Sequence, residues 1–238
     1  MPPRGRCYVE DMRTLFHMPL DPASRLVRIM LAEKGLPAQL VEKRPWDDED
    51  GVLAAVNPAL TIPVLMDEPP TGGDVAVCPV SAIVEYLEDA YPNEQLLPST
   101  SAARAETRRL THWFMDKFDA EVSDNTLRER INRRLMRRGQ PDYERLKIGA
   151  DCLVWHLDYA EYLLDQRHWF AGERYTVADI AAAAQLSCLD YIDLVPWEKF
   201  PAVKGWYARM KSRPSLRPIM RDRMDGVPPP PHYDNPDF

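Results

Sequence analysis

The sequence predicts an α/β unit joined to an all-α bundle. Strand-like and helix-like segments alternate from residue 13 to residue 90. From Ser101 to Met220 only helical periodicity is present. Between them, "YPNEQLLPST" (91–100) has the proline and polar composition of a linker.

Each element has a local cause. "RTLFH" (13–17) reads as a short strand. Pro22 to Lys34 reads as a helix: Asp21 suits the N-cap, Pro22 the first helical position, and Gly35 the stop. "AQLVE" (38–42) is a second strand, and "KRPWDDEDG" (43–51) a charged loop. "VLAAVN" is a short helix ended at Asn57-Pro58, because the residue before proline avoids helical dihedrals. "IPVLM" and "VAVC" form an antiparallel pair around the Gly72-Gly73 turn. "VSAIVEYLEDA" (80–90) places Ile83, Tyr86 and Leu87 on one helical face. Residues 103–122 form one helix, with room to run on to Arg138. Another begins near Tyr143 and continues to about Leu164. In "YTVADIAAAAQLSCLDYI", Thr176 and Asp179 have the spacing of a capping box. Pro201 opens a final helix in "FPAVKGWYARMKSRPSL". The expected organisation is an extension at 1–11, a first domain at 12–92, a helical domain at 99–220 and an extended, proline-rich tail at 221–238. Met12 is an alternative start, because patterned sequence begins there.

The bulk composition narrows function by exclusion. Hydrophobic residues at 45%, charged residues at 28% and a net charge of −7 describe an ordinary soluble protein, without a global signal for nucleic acid or an anionic membrane. No apolar run reaches the roughly 18 residues of a membrane span, and "MPPRGRCYVED" lacks the apolar core of a signal peptide. Cys7, Cys78, Cys152 and Cys188 include no CxxC pair and no histidine at ligand spacing. They argue against a metal site or a disulfide framework and for a reducing cytoplasm.

Three stretches carry a family resemblance. "NPALTIPVL", "VRIMLAEKGL" and "TVADIAA" resemble the cis-proline loop, first helix and second-domain capping box of the glutathione S-transferase superfamily, over roughly residues 13–220. The resemblance implies a thioredoxin-like N-terminal domain, a C-terminal helical bundle and a cis Pro63, with the backbone of Ile62 facing the glutathione cysteine. It also places the catalytic position of thiol- and serine-type members on Asp21. That position must favour a thiolate. Two negative charges about 4 Å apart repel by roughly 4 kcal/mol at an effective dielectric near 20, about three pKa units in the wrong direction. Asp21 followed by Pro22 is therefore a helix start, and Ser24 is the alternative hydroxyl. The family's acidic residue and serine for the γ-glutamyl group are replaced by Pro79 and Val80, neither of which pairs with charge. Ser81 stands one residue out of place. Glutathione catalysis is not expected, and no cofactor is.

Function is then expected on surfaces. "LRERINRRLMRRG" (127–139) contains Arg128, Arg130, Arg133, Arg134, Arg137 and Arg138 against a single Glu129. It is either a solvated face or an electrostatic dock for an acidic partner; without interleaved aromatics it is not a nucleic-acid site. Trp46 either caps the sheet edge or anchors a contact. In the tail, Tyr233, Asp234, Asp237 and Phe238 form a stiff recognition motif, a terminus with no task, or a segment folded over the cleft.

"MRTLFHMPLDPASRLVRI", the basic segment and the terminal "HYDNPDF" narrow the resemblance to the FtsZ-localised protein A family, from Met12 to Phe238. That resemblance implies a cytoplasmic, division-site homodimer of transferase-like fold. Such a dimer binds, bundles and curves filaments of the tubulin-like GTPase FtsZ and promotes constriction, without glutathione chemistry. It further implies that the acidic filament suits the arginines, and that the tail holds the same filament or a second division protein.

Overall fold

A computed structural model describes residues 13–235. It opens with β1 (Arg13–His17), α1 (Pro22–Glu33), β2 (Ala38–Glu42), α2 (Val52–Val56), β3 (Val64–Asp67), β4 (Val75–Val77) and α3 (Val80–Ala90). The four strands lie in the order β2-β1-β3-β4, with β1 parallel to β2 and the other neighbours antiparallel. This is the thioredoxin-like arrangement. α1 starts where Asp21 Oδ2 accepts the Ser24 N–H at 2.7 Å and Pro22 fills the first turn, so the local chemistry sets the helix start. α2 covers a small cluster of Phe16, Leu53 and Val64 on the opposite side of the sheet from the main core.

The helical part consists of α4 (Ser101–His112), α5 (Leu127–Leu135), α6 (Tyr143–Gln166), α7 (Val177–Tyr191), α8 (Pro201–Lys211) and the short α9 (Arg217–Met220), with a 3₁₀ turn at Trp197–Lys199. Every residue of α7 is buried, and its alanines Ala181–Ala184 let neighbouring helices approach closely. Its N-terminus carries the capping box of Thr176 and Asp179. Leu26, Val27, Ile29 and Met30 of α1 belong to the same continuous core as α7, so the sheet and the bundle share one apolar interior.

The expected long helix from 103 toward Arg138 is interrupted. α4 continues over Trp113–Ser123 in a wider π winding, closed by the Asp124 N–H to Asp119 C=O bond at 2.8 Å. The buried Gln185 amide enters this winding: it donates to the Phe114 carbonyl at 2.9 Å and accepts from Ser123 Oγ at 2.6 Å. A tertiary side chain thus satisfies groups the wider winding frees. The chain then turns through Asp124–Thr126 before α5 begins. Gly149 of α6 permits that turn, because a Cβ there would lie 2.5 Å from Thr126 Cγ2 and 2.9 Å from Asn125 Cβ.

Residues 221–235 correct the expectation of an extended tail. Tyr233 is 0% exposed and packs edge-on against Tyr191 at 5.2 Å between ring centroids. Tyr191 Oη donates to the Val227 carbonyl at 2.7 Å and accepts from the Met224 N–H at 2.8 Å. Lys211 Nζ donates to the His232 carbonyl at 3.1 Å, and His232 Nε2 lies 3.0 Å from Asp190. The prolines stiffen a segment that is held by aromatic burial and hydrogen bonds, so ordering it costs little additional entropy. The extension at 1–11, Met12, Asp237 and Phe238 lie outside the described residues.

Candidate functional site

The positions that the resemblance assigns to glutathione lie around the β1–α1 turn, the loop before β3 and the start of α3. The Ile62–Pro63 bond is cis, as the resemblance implies, and so is Cys78–Pro79, which the sequence reading did not anticipate. Ser24 is fully buried, and its Oγ accepts the Met18 N–H at 3.3 Å. The hydroxyl is committed to shaping the β1–α1 turn. Burial pushes the Asp21 carboxyl above its ordinary range, against the opposing pulls of the Arg128 guanidinium and Ser24. Pro79 is the N-cap of α3 without a side-chain cap bond, Val80 is half-buried, and Ser81 is exposed. These residues do not fit a glutathione thiolate or its charged γ-glutamyl end.

Beside the cleft lies a charged cluster that local pattern did not reveal. Arg25 is 0% exposed and donates to the Pro19 carbonyl at 2.8 Å and to Ser187 Oγ of α7 at 2.9 Å. Arg28, one turn on, holds Asp222 with two bonds of 2.7 and 2.9 Å, and Arg25 reaches the same carboxylate at 3.5 Å. Asp222 thereby ties the C-terminal segment to α1 by a forked, charge-assisted contact. The available signal was two arginines three apart, on an otherwise apolar helix face in "SRLVRI".

His17 ends β1 next to this cluster and is 5% exposed. Burial, helped by Arg28, lowers its pKa to about 4. The unfolded chain therefore binds a proton that the native ring refuses between about pH 6.5 and 4. Stability from this group is complete above 6.5 and is lost as pH falls, by about 3 kcal/mol in total. We expect the His17 ring resonances to titrate near pH 4; a midpoint near 6.5 would remove the burial effect.

The basic segment is helical over Leu127–Leu135 and leaves the helix before Arg137, whose φ is +55°, and its arginines divide. Arg128 pairs with Asp119 at 2.9 Å and lies near Asp21, toward the cleft. Arg133 pairs with Glu129 at 3.0 Å, and Arg130 donates to the Ile192 carbonyl at 3.2 Å. Arg134, Arg137 and Arg138 are exposed and form no ion pair among the described residues. Trp46 is half-buried and belongs to neither apolar cluster. Its loop is pinned by Lys43 to Asp50 at 2.6 Å and by Asp48, which accepts from the Leu53 and Ala54 amides. Of the proposed tail motif, Tyr233 is a core residue and cannot be a surface contact, while Asp234 is exposed and paired with Arg223.

Comparison with known proteins places this geometry. Residues 15–95 match the glutathione S-transferase N-terminal domain, and residues 156–214 match its C-terminal domain. The FtsZ-localized protein A of Caulobacter vibrioides is 46% identical over 226 residues, covering 95% of this chain and 98% of that protein. The chain belongs to the FtsZ-localized protein A family. The solved structure of FzlA from C. crescentus superposes with a TM-score of 0.91 at 45% identity, covering 95% of this chain and 100% of the other. A structure described as a glutathione S-transferase from Rhodospirillum rubrum gives 0.90 at 42%, with the same coverage. In this member of the FtsZ-localized protein A family, the transferase fold is kept and the cleft carries Asp21, Pro79 and Val80. Among the described residues, no helix is long and apolar enough to cross a membrane.

Proposed function

We propose that this chain is a non-catalytic division protein that binds FtsZ filaments in the cytoplasm at the division site, bundles or curves them, and promotes constriction. Its near-full-length kinship with the FtsZ-localized protein of Caulobacter carries this reading. The cleft supports it: Ser24 is engaged in a turn, and the acidic and serine side chains for the γ-glutamyl group are missing. The exposed Arg134 of α5, with Arg137 and Arg138 just beyond its end, offers an acidic partner a charged face, which makes the contact salt-sensitive.

A homodimer fits the same reading. α6 exposes Ile148, Trp155 and Tyr162 at seven-residue spacing, a continuous apolar stripe of the kind a second copy covers. Trp155 is held ready by stacking on Trp113, 5.6 Å between centroids. Two copies present two filament-binding faces, so one dimer bridges two filaments by multivalency. A second division protein that uses the C-terminal segment meets it as a folded surface on which Asp234 is exposed.

Co-sedimentation with GTP-assembled FtsZ tests the reading. We expect pelleting at low salt that weakens at moderate salt. We also expect no heat on titration with millimolar glutathione. The alternative, a glutathione-dependent transferase with an atypical site, predicts the reverse: glutathione affinity that Ser24→Ala abolishes, and no pelleting.

A further inference from the structure

The C-terminal segment does more than pack: with α5 it builds a groove. The groove has a volume of about 330 Å³ and is walled by Arg130 and Arg134 on one side and Val227 to Pro230 on the other. Tyr191 fixes the second wall through its bond to the Val227 carbonyl at 2.7 Å. Pro228 to Pro230, three of the four consecutive prolines, contribute no N–H, so that stretch of the wall is a ridge without donors. Donors come from the arginine wall. Arg130 commits Nη1 to the Ile192 carbonyl. Arg134 is exposed, forms no ion pair among the described residues, and lies against Gly226, where a Cβ would come within 2.5 Å of its Nη2. Gly226 thus gives the guanidinium its seat beside the ridge.

We infer that this groove takes an acidic, extended peptide segment, one carboxylate on Arg134 and an adjacent apolar side chain on the proline ridge. The inference rests on the filament-binding reading, under which the segment belongs to the filament protein. The volume lies at the small end of ligand sites, about 300–1,000 Å³, and suits one or two side chains. Asp193, 71% exposed at the rim, repels a continuous polyanion and favours a chain with spaced carboxylates. The walls are already ordered, so binding does not have to immobilise them.

The test uses the full chain and a fluorescein-labelled peptide of three Gly-Glu-Leu repeats, read by anisotropy. Its Gly-Lys-Leu counterpart is the control. We expect the acidic peptide alone to bind, with affinity falling at least tenfold in Arg134→Glu and staying within threefold in Arg134→Lys. The pair Lys147→Glu and Arg174→Glu, exposed charges outside the groove and outside the arginine face, should change it less than twofold. Thermal melts of each variant establish that the fold is retained. No binding by the wild-type chain at millimolar concentration, or equal binding by Arg134→Glu, overturns the groove. Peptide binding of the expected pattern, in a protein that does not pellet with FtsZ, keeps the groove and rejects the filament reading.

Discussion

Asp222→Ala is expected to cost about 3 kcal/mol of stability, the lower end of what removing one partner of a buried ion pair costs. The Asp222 carboxylate is the acceptor for both Arg28 bonds and lies 3.5 Å from the buried Arg25. Without it two guanidinium charges face each other at the junction of α1, α7 and the C-terminal segment. Arg25 keeps Ser187 and the Pro19 carbonyl, so it is not stripped of partners. Arg28 has no other acceptor among the described residues and bears most of the loss. For a chain of this length the cost corresponds to a melting-temperature drop of roughly 10 °C. Asp222→Asn should fall between, because one amide oxygen still accepts. Adding Arg28→Met to Asp222→Ala should recover part of the loss, since it removes the orphaned charge. A melting temperature for Asp222→Ala within 2 °C of wild type would mean that the pair is structural decoration. The same contact precedes the groove wall by only a few residues, so acidic-peptide affinity should weaken in this variant as well.

The reading of the first 90 residues matches the structure closely because its causes are local. Alternation sets the strands, Asp21 and Pro22 start α1, and Gly35 with φ +65° stops it. The cis bond before Pro63 was legible through the resemblance, because a short local motif, "NPALTIPVL", carries it. What failed depends on distant partners. α4 changes winding because Gln185, some 70 residues on, supplies the bonds. Three of the six arginines in the basic run are engaged by Asp119, Glu129 and the Ile192 carbonyl. Periodicity counts charge on a face but cannot see that half of the arginines are already engaged. The C-terminal prolines read as stiffness, while the residues that bury Tyr233, such as Tyr191, lie far upstream.

Asp179→Ala should be about as damaging, near 4 kcal/mol at neutral pH, and it should also tilt the pH profile. The buried Asp179 carboxylate accepts from the Phe170 N–H at 3.0 Å, the Thr176 N–H at 3.0 Å and Trp206 Nε1 at 3.1 Å. Alanine leaves these three donors buried and unpaired, at about 1–3 kcal/mol each before relaxation. Burial outweighs those same bonds and raises the Asp179 pKa to about 6, from 3.8. The native state therefore binds the extra proton between about pH 3.8 and 6, so this group's contribution falls as pH rises through 6. His17 runs the other way, losing stability as pH falls from about 6.5 to 4. Each is worth about 3 kcal/mol, so in the wild-type chain the two largely cancel across the same window. Removing Asp179 exposes the His17 slope: chemical denaturation of Asp179→Ala should show stability declining by about 3 kcal/mol, relative to wild type, between pH 6.5 and 4. His17→Gln should show the opposite tilt. Parallel profiles for all three proteins would mean that neither group is desolvated as its burial indicates.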